Sequence, residues 1–300
     1  MKRLQFLLVM FLAAGTAMAQ DNSFLLYSLK GNVSVVDNKV ETKAKVGQLL
    51  KSSANLKIAP GGMATLICNQ ASMFTVNKAG NYSLNKFKDS CREGSNNVSA
   101  NYIKYVWNQM TSHGEGSPGS NRKAFMNTVG AVSRSINNIW IDPRLDTVNY
   151  TAGDFPLSWK SYTDAGEFQF SLYNSSNIAD PFYTQVTSKS KIMINSFATK
   201  IKEGSSYYWT SAVKGEENDE LKVLNFVSKD TYDKLVSLLK TQGGAGEAPA
   251  EQAYRIAFML EDAHYLAEAY QYYSKAAQLA PDNVLYRSTL MSFKKDYEIK

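Results

Sequence analysis

Residues 63–76 read Met-Ala-Thr-Leu-Ile-Cys-Asn-Gln-Ala-Ser-Met-Phe-Thr-Val. Two short β-prone runs, Met63–Cys68 and Ser72–Val76, stand side by side in this stretch. Upstream, Asn32-Val-Ser-Val-Val and Leu56-Lys-Ile are of the same kind. Gly31, Asp37-Asn38, Pro60-Gly61-Gly62 and Lys78-Ala79-Gly80-Asn81 punctuate them. Short strands with turn signals this close together predict an all-β unit from Phe24 to Leu84. Ahead of it, residues 1–19 hold Lys2 and Arg3, an apolar run from Phe6 to Ala14, and Ala17-Met18-Ala19. This order is that of a cleavable signal peptide, which is set aside from the fold.

Beyond residue 97 the period changes. Tyr102, Ile103, Val106, Trp107 and Met110 recur at helical spacing. Phe125, Val129, Val132 and Ile136 form a weaker stripe, interrupted by Gly130. From Asp154 the two-residue alternation returns: Phe155, Leu157 and Trp159, then Phe168, Phe170 and Leu172, then Ile192 and Ile194, then Tyr207, Trp209 and Val213. About seven short strands between 145 and 228, with aromatics facing inward, predict a β-sandwich. Thr231–Thr241, residues 250–280 and Val284–Tyr297 read as helices.

The fold class expected is therefore multi-domain α+β. Its parts are a signal peptide (1–19), a β domain (20–96), a helical connector (97–141), a sandwich (142–230) and a helical segment (231–300). The mature 281 residues suit roughly two or three small domains. Of the whole chain, 44% is apolar and 20% charged, the balance of a globular protein. Removing Lys2 and Arg3 lowers the formal net charge from +6 to +4, too little to argue for nucleic acid. No segment of the mature chain approaches the 18 apolar residues of a membrane span.

Three resemblances follow from these residues. Gly31-x-Val33-x-Val35, Val46-Gly47-Gln48-Leu49-Leu50, Leu56-Lys57-Ile58-Ala59 and Ala64-Thr65-Leu66 resemble the periplasmic FecR-like domain of bacterial iron-signalling regulators. Those regulators carry a cytoplasmic segment and a membrane helix ahead of the domain, where this chain has a cleavable signal. Trp159 together with Gly204-Ser-Ser-Tyr207-Tyr208-Trp209 resembles a fibronectin type III or immunoglobulin-like sandwich. Ala253, Ile256, Ala257, Leu260, Ala269, Tyr273, Ala276 and Pro281 resemble one tetratricopeptide (TPR) repeat over residues 250–283. The alanines let two antiparallel helices approach, Tyr273 fills the space between them, and Pro281 ends the second helix.

Motifs for catalysis are few. Gly114-Glu-Gly116-Ser-Pro-Gly119 spells a dinucleotide fingerprint, but a helix precedes it and Pro118 removes a phosphate-binding amide. Ser117 lacks the glycine that a nucleophile elbow needs two residues before it. Cys68 and Cys91 pair as a disulfide in an oxidising compartment, or Cys68 is a nucleophile with His113 as base. Glu261-Asp262-Ala263-His264 has the composition of a metal cluster but falls at the turn between the two TPR helices, where a solvated turn is expected. Trp159 and Trp209 lie on inward phases and Trp107 on an amphipathic stripe, whereas Trp140 has no assignable phase.

The expectation is a non-enzymatic, exported protein of the periplasm or cell envelope, with no cofactor, no metal and no nucleic-acid partner. It would act as a protein-binding scaffold. Part of the TPR segment's groove would stay open to a partner, and Tyr265, Tyr270 and Tyr272 would either add contact surface there or pack against the preceding sandwich. The alternative is a sensor component of a FecR-type regulatory system. An exported hydrolase accessory protein is the weaker alternative. Mass spectrometry of the exported form should find the mature chain beginning at Gln20; retention of Met1 would contradict export by cleavage.

Overall fold

The computed structural model describes residues 23–91, 99–111, 122, 138–174, 180–244 and 246–299. The signal peptide, the 114–120 loop, His113 and the stripe from Phe125 to Ile136 lie outside them. The chain forms two compact units, Met1–Asn96 and Asn97–Lys300. The class is mixed α+β, and no helix among the described residues is long and apolar enough to cross a membrane.

In the first unit eight strands follow one another: β1 (Ser23–Lys30), β2 (Val33–Asp37), β3 (Val40–Lys43), β4 (Leu49–Lys51), β5 (Asn55–Ile58), β6 (Met63–Cys68), β7 (Ser72–Val76) and β8 (Gly80–Ser83). They make two antiparallel sheets, ordered β4-β1-β6-β7 and β3-β2-β5-β8. Alternation along each strand sends Phe24, Leu26, Val33, Val35, Leu50, Leu56, Ile58 and Leu66 into one shared core. Each such side chain contributes about 1.5–3 kcal/mol by leaving water. Gly31, at φ +69°, leads from β1 into β2. A Cβ there would lie 3.1 Å from the Cα of Gly62, so the two glycines let the two connections approach.

After β8 a 3-10 helix, Leu84–Cys91, packs against β7 and β8. Phe87 packs on Phe74 and Tyr82, with ring centroids 5.0 and 6.3 Å away. Cys91 is disulfide-bonded to Cys68 at the end of β6, with a Cα–Cα distance of 5.2 Å. This pairing answers the open question at Cys68: its sulfur is bonded, and the residue is fully buried.

The second unit opens with helix α1 (Ala100–Thr111). Then come β9 (Ile139–Trp140), β10 (Thr147–Tyr150), β11 (Pro156–Ser158), β12 (Lys160–Ser161), β13 (Phe168–Tyr173), β14 (Tyr183–Thr187), β15 (Lys191–Met193), β16 (Ser205–Val213) and β17 (Lys222–Phe226). Five strands form a sheet ordered β10-β17-β16-β13-β14, in which only β10 and β17 run parallel. β11 pairs with β15, and β9 with β12. Trp159 and Trp209 are core residues, exposed by 1% and 0%. Trp159 meets Phe168 edge-on at 5.8 Å, and Trp209 stacks on Phe170 at the same distance.

Four helices end the chain: α2 (Lys229–Thr241), α3 (Pro249–Asp262), α4 (Leu266–Leu279) and α5 (Val284–Asp296). Their starts are written in the sequence. The Ser228 hydroxyl accepts the Thr231 amide, Pro249 opens α3, and Asn283 accepts the Tyr286 amide. Ala253, Ala257, Ala269 and Ala276 are buried, which brings α3 and α4 close as an antiparallel pair.

The disulfide closes a loop with a sequence separation of 23, worth about 3 kcal/mol by the chain-entropy estimate. Reduction of the full chain should therefore lower the melting temperature of the first unit selectively. Two freely alkylated thiols in the native exported protein would contradict the bond.

Candidate functional site

The α3–α4 pair is where a partner was expected to dock, and its surroundings decide what it offers. The face shared by α3 and α5 is occupied by the chain itself. From α1, Tyr105 stacks on Phe258 at 5.0 Å, while Tyr102 lies 5.5 Å from Phe258 and 6.3 Å from Tyr254. The Tyr254 hydroxyl donates to the Tyr105 hydroxyl over 3.1 Å, and both share hydrogen bonds with Thr289 of α5. All of these residues are fully buried. The groove expected to stand open is thus filled at this point, because α1 brings two tyrosines one helical turn apart into it.

Beside them lies a buried cluster of charges. Glu261, exposed by 3%, ends the inner face of α3. Its carboxylate receives the Arg122 guanidinium at 2.7 Å and the hydroxyls of Tyr273 and Tyr297 at 3.0 and 3.2 Å. Arg122 also reaches Asp296 at 2.7 Å and lies over the Phe293 ring at 5.2 Å. Arg144 is held by Asp142 through two bonds of 2.6 and 3.0 Å, and sits 4.7 Å above the Tyr297 ring. Burial alone would make Arg122 easier to deprotonate, but the Glu261 charge together with the surrounding Tyr273, Tyr297 and Tyr105 outweighs this and holds the guanidinium above its ordinary value. Burial, and then the same carboxylate, pushes the Tyr273 and Tyr297 phenols well up. These groups are neutral donors and fixed ion pairs, an arrangement that holds segments together.

The turn between α3 and α4 serves strand β10, which lies at the end of its sheet. Asn149 donates its amide to the His264 carbonyl and its side-chain NH2 to the Ala263 carbonyl, both at 2.9 Å. Glu268 then accepts the Thr151 amide at 2.7 Å, the Thr151 hydroxyl at 2.6 Å and the Ala152 amide at 3.3 Å. The solvated turn expected at Glu261–His264 is therefore only partly so: Glu261 is interior and His264, at φ +61°, turns its carbonyl to the sheet edge. Among the described residues no group of three or more His, Cys, Asp or Glu could hold a metal ion.

The three tyrosines point apart. Tyr265 is 8% exposed and packs on Tyr232 of α2 at 5.7 Å. Tyr270, half-buried, stacks on Phe293 of α5 at 6.2 Å. Tyr272, also half-buried, has the Lys275 ammonium 6.0 Å from its ring, and burial followed by the Asp233 charge raises its phenol. Trp140 carries the Lys160 ammonium 5.2 Å over its ring, beside a cleft of about 160 Å³.

A larger opening belongs to the first unit. It measures about 900 Å³ and crosses the β3-β2-β5-β8 sheet. Ala59 and Pro60 line it beside Glu41, Thr42 and Lys43 of β3, and Ser34, Lys57 and Asn81 form a polar row across three strands in register. Glu41 accepts the Ser34 hydroxyl at 2.6 Å and the Lys57 ammonium at 3.1 Å, which holds its carboxyl below the usual range.

The sequence matches no model of a known protein family and no curated protein. No sequence motif marks Arg122, Arg144, Glu261, Glu268 and Asp296 for these roles. One signal was present: Glu261 and Glu268 sit at phases where the helices are otherwise apolar, and a charge in such a phase needs a partner.

Glu268 gives a pH-dependent test. Burial raises its carboxyl above the ordinary value, against the opposing bonds from Thr151 and Ala152. The folded state thus binds this proton more tightly than the unfolded state, and the ionised group costs stability at neutral pH. That cost fades as pH falls through the folded value. Urea titrations from pH 7 to 5 should show the wild-type second unit gaining stability relative to Glu268→Gln. A constant difference would contradict the assignment.

Proposed function

We propose that this chain is an exported, non-enzymatic protein of the cell envelope that works as a binding scaffold. Its modules would be a FecR-like β domain, an immunoglobulin-like sandwich and a TPR-like helical hairpin. For the sandwich, support comes from Tyr207, whose hydroxyl accepts the Lys202 amide at 2.7 Å. A tyrosine that ties its own corner in this way recurs in immunoglobulin-like sandwiches. For the hairpin, support comes from the buried alanines and Tyr273.

The observation that carries the scaffold reading is the open groove of the first unit. At about 900 Å³ it is large enough for a stretch of polypeptide, and the polar row across it would fix orientation. In the second unit the charged interior serves internal joints, and the half-buried Tyr270 and Tyr272 leave a second, smaller contact area on α4. Function here rests on surfaces, since a fold of this kind hosts many roles.

Capture from envelope extract tests this. The immobilised full chain should retain one or more envelope proteins. Asn81→Trp, which fills the groove from an exposed position, should lose them if the groove is the contact. Tyr272→Ala should lose them if α4 is. Capture unaffected by both variants, or turnover in a panel of esterase, glycosidase and peptidase substrates, would overturn the proposal.

A further inference from the structure

Among the described residues strand β3 ends its sheet, paired on one side only, and all four of its residues are exposed. It follows β2 through a two-residue turn, Asn38-Lys39, with φ of +49° and +66°. Such a turn is closed by a pair that exchanges backbone hydrogen bonds, here Asp37 and Val40. Bonding alternates along an antiparallel pair, so Val40 and Thr42 direct their backbone groups to β2. Glu41 and Lys43 direct theirs away from it. Those groups form a free edge ready to accept another strand.

The flank around this edge is apolar. Val40, Val46 and Leu49 are 62%, 49% and 49% exposed, and they are the exposed large apolar residues of the first unit among the described residues. All three fall within one ten-residue stretch that runs from β3 to β4. Strand β4 is itself at the end of the other sheet. No register shift interrupts the β2–β3 pairing, and β3 contains no proline.

We propose that β3 is a self-association edge, at which β3 of a second copy pairs antiparallel about a two-fold axis through Thr42. In that register Glu41 stands opposite Lys43 of the second copy, twice by symmetry. These are the residues whose backbone groups point outward, so each Glu41–Lys43 pair exchanges two backbone hydrogen bonds as well as opposite charge. Charges on an edge strand ordinarily repel an added strand; the order Glu-Thr-Lys turns them into a complement. The register is also selected. Centring the axis on Glu41 would oppose two carboxylates, and centring it on Lys43 would oppose two ammonium groups. With Thr42 at the centre, Val40 lies beside Ala44 of the second copy and part of the apolar flank is covered.

Sedimentation of the full chain at up to about 100 µM should show a reversible dimer. Lys43→Glu alone and Glu41→Lys alone each oppose like charges and should weaken it at least about tenfold. An equimolar mixture of the two variants should recover association, because the two carboxylates on β3 of one variant then face the two ammonium groups on β3 of the other. Thr42→Cys should form a disulfide-linked dimer on oxidation, since a pair without backbone bonds has its Cα atoms about 4.5 Å apart. A wild-type chain that stays monomeric, a dimer indifferent to Lys43→Glu, or a Thr42→Cys variant that does not cross-link would each overturn the proposal. The wild-type measurement stands whether or not any variant folds.

Discussion

A buried carboxylate joins residues from distant parts of the second unit. Glu261 lies inside it with the Arg122 guanidinium at 2.7 Å and the Tyr273 and Tyr297 hydroxyls at 3.0 and 3.2 Å. Through these bonds it ties α3 to α4, to the residue after α5 and to Arg122, 139 residues away in sequence. An ionised group so placed is costly unless it is fully paired, and replacing such a pair with apolar groups can be neutral or stabilising. Its value lies in geometry more than in net stability. Loss of Arg122 leaves the Glu261 carboxylate buried without its nearest cation, at a cost of up to about 3–5 kcal/mol, so the helices hold one arrangement relative to Arg122.

That constraint bears on how a single helical hairpin stands at all. Repeat architectures bury their faces against neighbouring repeats, and about three are usually needed. In this chain the neighbours are of other kinds. One face receives Tyr102 and Tyr105 of α1, another packs on α5, and the turn bonds to the edge of β10. Glu268 completes the last contact by accepting two amides and a hydroxyl that the loop after β10 would otherwise present unpaired. The hairpin and the sheet therefore complete each other: the turn covers a strand edge, and the strand fixes the turn.

Much of this was legible in the sequence, and the limit has a physical basis. The runs 33–37, 63–68 and 72–76 show a period of two or an unbroken apolar run between turn residues, and each is a strand. Trp159 and Trp209 sit on inward phases and are core. The helices at 229–241 and 284–296 carry both their apolar stripes and their caps. Such features are local. The Arg122–Glu261 pair and the stacking of Tyr105 on Phe258 join residues far apart in the chain, and no periodicity encodes which distant residue meets which. The tyrosines show the same limit. Residues 265, 270 and 272 were separable by direction around a helix, but Tyr232 and Phe293, which cover two of them, belong to other elements.

Strand edges bring the two units into one physical frame. An edge strand leaves half its backbone groups unpaired, and each must find water or a partner. At β10 the partner is built into the chain, with backbone and side-chain bonds from a turn whose own carbonyls needed donors. At β3 the covering is different in kind: four exposed residues of alternating chemistry, with a carboxylate and an ammonium on the positions whose backbone faces outward. Within one copy Glu41 already holds Lys57 of β5 at 3.1 Å, and Lys43 lies two residues along the same strand and face. Antiparallel pairing with an identical strand sets each opposite its complement, while a sequence such as Lys-Thr-Lys would repel its own copy in the same register. The order of three residues thus decides whether this edge is guarded or self-complementary, and it is self-complementary.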